Sequence, residues 1–195
     1  MSRRGLATML EGKTVSGKIL DQVAKDMEWL KSRAVTPKLV PVVVGNVPES
    51  EVYIKRKVAA AEKYGLDCTV LRLPEDIDEI NLLGHIQTLN QDPTVHGIIV
   101  QLPLPPQVNE QVVCNAVDEV KDVDGFTTRN LGSLVQGVGL GQSFVPCTPL
   151  AVLKILETSV DIPFKGLNAV VAGRSHNVGL PIAVILAADA IKEKI

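Results

Sequence analysis

Aromatic residues are scarce in this chain of 195 residues: they make up 3% of it, whereas hydrophobic residues in total make up 46%. A core must therefore be built from Val, Leu, Ile and Ala, the usual filling of parallel sheets that helices flank. No apolar run reaches the length of a membrane span. The formal net charge of −2 also lacks the basic excess that attracts nucleic acids or anionic membranes. We therefore expect neither a nucleic acid nor a membrane as a partner.

Cysteine is also rare. Cys68, Cys114 and Cys147 are odd in number, far apart and free of any C-x-x-C spacing. This pattern disfavours a disulfide framework and a zinc site, and it favours reduced thiols inside the cell. We therefore predict no metal site and a cytoplasmic location. A basic N-terminus, with two arginines before the first acidic residue, leaves a short mitochondrial presequence as the alternative.

Segments of helical and strand character alternate along the first part of the chain. Apolar periodicity and helix start and stop signals predict helices from Ser16 to Ser32, Pro48 to Gly65, Asp76 to Leu89 and Asn109 to Val117. Short apolar runs predict strands at Leu39–Gly45, Asp67–Leu73 and His96–Gln101. This order predicts an α/β fold with a parallel sheet and right-handed crossovers. Ligands of such sheets bind at the carboxyl ends of the strands.

The pattern weakens between Lys121 and Val145, where we expect loops and short pieces, including the glycine-rich stretch from Gly132 to Gly141. A helix is predicted from Pro146 to Ser159, followed by a strand from Lys165 to Gly173 and a helix from Asn177 to Ala190.

Tyr53 and Lys57 are the best candidates for chemistry. Their i, i+4 spacing places both side chains on one face of the predicted helix, close enough to share a ligand. A lysine held beside an aromatic hydroxyl on a partly apolar face can accept and donate protons. The same spacing is common on exposed helices, so the pair alone does not establish a site. By the predicted topology, Gln101 ends a strand near the same cleft.

Two further segments contain residues that could bind a ligand. The turn from Gly173 to Gly179 follows a predicted strand and precedes a helix, as a dinucleotide-binding turn does, although Ser175 replaces the second glycine of G-x-G-x-x-G. Helix amides there could hold a phosphate, and Arg174 could pair with a 2′-phosphate, but an ordinary turn is the alternative. Asp122 and the nearby Asp124 could bind a metal, yet a turn is the more common role of such a segment.

Together these motifs, in this order, resemble the methylenetetrahydrofolate dehydrogenase/methenyltetrahydrofolate cyclohydrolase family. The resemblance extends over nearly the whole chain, through Val44-Gly45, Ser50-x-x-Tyr53-x-x-x-Lys57, Gly97-Ile-Ile-Val-Gln101-Leu-Pro-Leu-Pro105, Lys121-Asp-Val-Asp124-Gly125, Pro146-Cys-Thr-Pro149 and Gly173-Arg-Ser-x-x-Val-Gly179-x-Pro181. It implies a folate-binding catalytic domain over residues 1–145 and the start of an NAD(P)-binding Rossmann domain over residues 146–195.

The resemblance also implies an activity. The enzyme oxidises 5,10-methylene-tetrahydrofolate with NADP, or with NAD, and hydrolyses the methenyl product to 10-formyl-tetrahydrofolate. Lys57 is then the acid and base of the hydrolysis, Tyr53 stacks on or orders the folate, and Gln101 hydrogen-bonds the lysine. Asp124 recognises the amino-pyrimidine end of the pterin, because a carboxylate accepts paired hydrogen bonds.

The remaining site residues come from the same resemblance. Leu102 and Pro103 belong to the substrate site beside Gln101. The cofactor site consists of Gly173, Arg174, Ser175, Val178 and Gly179. Within it, Arg174 favours NADP over NAD.

The predicted Rossmann part is short, with one strand and one helix where the complete domain has about six strands. We therefore expect a C-terminally truncated chain with a poorly ordered tail, weak nicotinamide binding and exposed apolar residues on its last helix. The family's homodimer uses mainly this domain, so we expect weakened pairing. A catalytically impaired remnant that at most binds folate is the alternative. A short-chain dehydrogenase is disfavoured, because there the glycine turn precedes the Tyr-x-x-x-Lys pair.

Overall fold

A parallel sheet forms the centre of the protein in the computed structural model, which describes residues 9–46, 48–137, 142–159 and 166–187. Strand β1 (Lys38–Val44) pairs with β2 (Asp67–Cys68) and β3 (Leu71–Leu73), and also with β4 (Gly97–Val100). Residue Val42 pairs with both Leu71 and Val100, so β1 is the middle strand. All these pairings are parallel, which confirms the predicted α/β fold with a parallel sheet.

The strand predicted over residues 67–73 is divided into two, opposite Pro41. The backbone carbonyls of Lys38 and Val42 point towards β4, where they accept hydrogen bonds. The residues that alternate with these two along β1 therefore direct their backbone amides and carbonyls towards β2 and β3. On that side the Leu39 carbonyl accepts from the Thr69 amide at 3.1 Å. Pro41 has no N–H to continue the ladder, which explains the interruption.

Seven helices surround the sheet within the described ranges. They are α1 (Gly12–Lys31), α2 (Pro48–Tyr64), α3 (Glu79–Gln91), α4 (Glu110–Ala116), α5 (Thr128–Val135), α6 (Cys147–Ser159) and α7 (Gly179–Ala187). The main core lies between the sheet and helices α3 and α4, where Val42, Leu82, Ile86, Ile98 and Val113 are almost fully buried. None of the helices in the described part of the chain is both long enough and apolar enough to cross a membrane.

Helix α5 corrects the prediction of loops and short pieces between Lys121 and Val145. Thr127 caps its first turn by accepting a hydrogen bond from the Asn130 amide at 3.3 Å. Gly132 lies inside the helix, at a cost of about 1 kcal/mol relative to alanine. Burial of Leu134 offsets this cost, since its side chain is 2% exposed. Residues 138–141 of the glycine-rich stretch lie outside the described residues.

The strand predicted from Lys165 to Gly173 is absent from its described residues, 166–173. Val170 is 94% exposed and Leu167 is 56% exposed, so this apolar segment lies on the surface. A strand needs a neighbour to pair with its amides and carbonyls, and the described sheet does not extend to this segment.

Helix α7 is packed more firmly than predicted. Ile185 is 4% exposed and forms a second core cluster with Leu134, Val145 and Leu153. The expectation of an exposed apolar helix is therefore wrong for Ile185, whereas Leu180 is 49% exposed as expected. The predicted helix end and the tail at residues 188–195 lie outside the described residues.

Candidate functional site

Lys57 and Gln101 meet beyond the carboxyl end of the sheet. Helix α2 follows β1 through Gly45, whose positive φ of 72° suits glycine, and it presents Lys57 towards β4. Gln101 directly follows β4, and its backbone N–H donates to the Val42 carbonyl at 2.9 Å. The Lys57 Nζ donates to Gln101 Oε1 at 3.2 Å. The structure thus brings together two of the predicted catalytic residues, one from each of two neighbouring elements.

A second set of hydrogen bonds orients Gln101. Its Nε2 donates to the Leu102 carbonyl at 3.1 Å, which directs its Oε1 to the lysine. The hydroxyl of Ser50, which is buried, donates to the same carbonyl at 3.5 Å. The Leu102–Pro103 peptide bond is cis, with Leu102 half-buried and Pro103 exposed. No role for Ser50 was predicted, although it lies one helical turn before Tyr53.

Tyr53 lies on α2 one turn before Lys57 and is 60% exposed. An exposed ring beside a lysine offers a flat apolar surface on which a planar heterocycle can stack. The structure places Tyr53 on the helix that presents the lysine, as predicted, and its stacking role stays a prediction.

Asp124 lies in a tight turn that is docked on the start of α6. Gly125 has a φ of 68°, and a Cβ there would lie 2.9 Å from Pro146 N and Val145 C, so only glycine permits this contact. Burial raises the pKa of the Asp124 carboxyl above its ordinary value, and the charge of Asp122 adds to this, whereas Lys57 opposes it. Lys57 therefore contributes to the electrostatic environment of both Gln101 and Asp124.

Cys147 is a neighbour of Asp124 that the sequence analysis did not identify. Although the residue is exposed, its thiol donates a weak hydrogen bond to the Val123 carbonyl at 3.6 Å. Burial of the sulfur and the nearby Asp124 charge raise the pKa of the Cys147 thiol to about 11. The thiol therefore stays protonated at neutral pH and can act as a donor towards Asp124.

The turn from Gly173 to Gly179, the cofactor turn, leads into α7. A Cβ on Gly179 would lie 2.5 Å from the backbone of Gly173, so the two chain segments approach more closely than any larger residue allows. The Ser175 hydroxyl accepts a hydrogen bond from the Gly179 amide at 3.2 Å. Arg174 and Val178 are exposed. The turn is thus formed even though the strand predicted before it is not, and Gly179 permits the close packing of α7 on the turn that dinucleotide-binding turns require.

A cavity of about 690 Å³ lies between α4, α5 and the cofactor turn. Leu102, next to Gln101, lines it on one side, while Ser175 and Asn177 line it on the other. Apolar side chains, including Phe126 and Leu131, cover much of its wall. The cavity therefore extends from Leu102, one of the predicted substrate residues, to Ser175, one of the predicted cofactor residues.

Comparison with known proteins identifies relatives for both parts of the chain. The family model for the tetrahydrofolate dehydrogenase/cyclohydrolase catalytic domain matches residues 10–124, and the model for its NAD(P)-binding domain matches residues 146–193. The bifunctional protein FolD of Bordetella petrii is 43% identical over 180 residues, which are 92% of this chain and 60% of the relative. The chain thus spans about three fifths of the length of this relative.

Solved structures give the same result. The bifunctional enzyme FolD from Campylobacter jejuni is 41% identical with a TM-score of 0.87, covering 92% of this chain and 62% of the other. The dehydrogenase-cyclohydrolase of Trypanosoma brucei, complexed with NADP cofactor and inhibitor, is 29% identical with a TM-score of 0.85, covering 93% and 61%.

Proposed function

Because the chain belongs to the tetrahydrofolate dehydrogenase/cyclohydrolase family, we propose that it interconverts one-carbon forms of tetrahydrofolate. It hydrolyses 5,10-methenyl-tetrahydrofolate to 10-formyl-tetrahydrofolate, and it oxidises 5,10-methylene-tetrahydrofolate with NADP or NAD. The observation that carries the proposal is the Lys57–Gln101 hydrogen bond of 3.2 Å at the end of the sheet. This function is favoured over an impaired, folate-binding remnant because the predicted hydrolytic residues are all present and two of them are in contact.

The lysine performs the proton transfers of the hydrolysis. Water adds to the electrophilic methenyl carbon, and Lys57 accepts the proton that the water loses. The resulting ammonium then protonates N5 as the bond between N5 and the former methenyl carbon breaks. The hydroxyl on that carbon loses its proton to solvent as the C=O bond forms, so the formyl group remains on N10 and one proton is released overall. Gln101 Oε1 accepts a hydrogen bond from the lysine in both of its protonation states and holds the amine in place.

Substrate recognition divides between stacking and hydrogen bonding. The exposed ring of Tyr53 stacks on the folate, while Leu102 and Pro103 form an adjoining wall of the site. Asp124 accepts hydrogen bonds from the amino-pyrimidine end of the pterin. Lys57 favours the ionised form of Asp124, which is the form that accepts two hydrogen bonds at once.

The cofactor turn is the proposed NAD(P) site. Amides at the start of α7 bind the pyrophosphate, and the exposed Arg174 pairs with the 2′-phosphate of NADP. A nicotinamide cofactor held there would supply the hydride acceptor for the oxidation of the methylene carbon. The cavity supports this assignment because it reaches from Ser175 in the cofactor turn to Leu102, the residue after Gln101.

One assay tests the hydrolytic function. The decay of methenyl-tetrahydrofolate absorbance is measured for the chain and for the Lys57→Ala variant, with Lys55→Ala as control because Lys55 is exposed on the same helix. We expect Lys57→Ala to lower the rate about 10²–10⁴-fold and Lys55→Ala to leave it unchanged. Equal rates in the chain and in Lys57→Ala would refute the proposal. Reduction of NADP is followed separately with methylene-tetrahydrofolate.

We further propose a domain division at residues 145 and 146, supported by the ranges of the two family models. A cytoplasmic location, with a mitochondrial one as the alternative, is supported by the free cysteines of the described residues. Weakened pairing of two copies of the chain stays a prediction, to be measured by light scattering of the purified chain.

A further inference from the structure

We propose that Asp122 is a positioning residue that fixes the turn carrying Asp124 and places a second negative charge beside it. The inference rests on the proposed function, in which Asp124 recognises the pterin. Asp122 belongs to the same short motif, but the structure gives it a different environment. Asp122 is only 4% exposed, so its carboxylate is not available to a ligand.

Three donors occupy the Asp122 carboxylate. Its Oδ1 accepts from the Phe126 amide at 3.2 Å. Its Oδ2 accepts from the Thr127 amide at 2.8 Å and from Asn130 Nδ2 at 2.9 Å. Charge-assisted hydrogen bonds of this kind are about twice as strong as neutral ones. They hold the turn around Asp124 against the first turn of α5.

The backbone at Asp122 is also joined to the sheet. Asp122 forms a parallel bridge with Ile98 of β4, and the Ile98 amide donates to the Lys121 carbonyl at 2.8 Å. Three residues beyond Ile98, the same strand leads to Gln101. Asp122 therefore lies where the strand presenting Gln101, the turn presenting Asp124 and helix α5 meet.

The effect of Asp122 on Asp124 can be measured through the pKa of Asp124, which depends on the charges around it. The groups that face it are Lys57 on α2, Asp122 in its own turn, Cys147 on α6 and, more weakly, Cys114 on α4. The Asp122 charge raises the pKa of Asp124, while Lys57 and the Cys147 thiol lower it. Neutralising Asp122 therefore lowers the pKa of Asp124, and Asp124 stays ionised to a lower pH than in the native chain.

Two variants and a control separate positioning from general stability. Asp122→Asn removes the charge and one acceptor. Asn130→Ala keeps the charge and removes one donor to Asp122, together with the hydrogen bonds of Asn130 to the Glu119 carbonyl and the Phe144 amide. Asp118→Asn removes an exposed charge of the same segment. The KM for methenyl-tetrahydrofolate is measured as a function of pH. The titration of the Asp124 carboxyl carbon is followed by NMR in the substrate-free protein.

We expect Asp122→Asn to raise KM about tenfold at neutral pH, as expected for the loss of one well-placed charged hydrogen bond. The pH at which KM begins to rise on acidification should fall, together with the NMR midpoint of Asp124. Asn130→Ala should raise KM without lowering that midpoint, and Asp118→Asn should change neither.

A folded Asp122→Asn variant with unchanged KM and an unchanged Asp124 midpoint overturns the inference. A raised KM with an unmoved midpoint also overturns it, because a purely structural defect gives that result. If Asp122→Asn does not fold, Asn130→Ala decides, and an unchanged KM there counts against the proposal. If the native chain does not hydrolyse the substrate, the proposed function fails, and the NMR titration alone decides the role of Asp122.

Discussion

Replacing Ile185 with alanine tests whether core packing holds α7, and with it the cofactor turn. Ile185 is 4% exposed and contacts the small cluster of Leu134, Val145 and Leu153. Large-to-alanine substitutions in cores cost about 2–5 kcal/mol, and a cluster of this size leads us to expect a loss of about 2–3 kcal/mol. Since domains are stable by about 5–15 kcal/mol, such a loss is easily measured.

The measurement is urea unfolding together with amide hydrogen exchange of α7. Leu180→Ala is the matched control, because Leu180 lies on the same helix and is 49% exposed. We expect the control to lose less than about 1 kcal/mol, because little apolar area is removed from the core. If both variants lose the same free energy, or if α7 exchanges equally fast in both, the packing described here does not hold the helix.

Four other predictions concern single positions. Gln101→Leu removes the acceptor of the catalytic lysine and should slow methenyl-tetrahydrofolate hydrolysis by about 10-fold or more, which the absorbance assay measures. Asp124→Asn should stabilise the protein at pH 7. The pKa of the folded Asp124 carboxyl lies above its ordinary value of 3.8, so ionising this group lowers the free energy of unfolding. This destabilisation grows as pH rises above 3.8 and vanishes below it. Urea midpoints at pH 7 and near pH 4 check the sign. Gly179→Ala should abolish measurable NADP binding, because the added Cβ would lie 2.5 Å from the Gly173 backbone. Gly132 has open space around it, so Gly132→Ala should stabilise α5 by about 0.5–1 kcal/mol, as measured by thermal unfolding.

The parts of the fold set by local pattern could be predicted from the sequence. Short apolar runs predicted the strands of the sheet, and the 3.6-residue period predicted α1 to α4, with ends shifted by a few residues. The convergence of strand ends then placed Lys57 near Gln101, and the structure has that contact. The catalytic roles of both residues stay predictions until they are assayed.

Features that depend on the exact conformation of a turn, or on whether a neighbouring strand is present, could not be predicted. The amides that bind Asp122 come from the turn and the cap that follow it, so its role depends on their conformation. The apolar run before Gly173 matches a strand pattern, yet a strand forms only beside another strand. The division of the predicted strand opposite Pro41 could be predicted only in part. A proline indicates that the hydrogen-bond ladder is interrupted, but only the pairing register shows on which side of β1 the interruption lies.

The exposed segment from Leu167 to Gly173 has a consequence for handling the protein. It carries β-branched Val170, 94% exposed, in a run without charged residues. Exposed apolar segments that contain β-branched residues are templates for strands of other molecules. Self-templated aggregation through this segment, which grows with protein concentration, therefore competes with every binding measurement on the chain and favours work at low concentration.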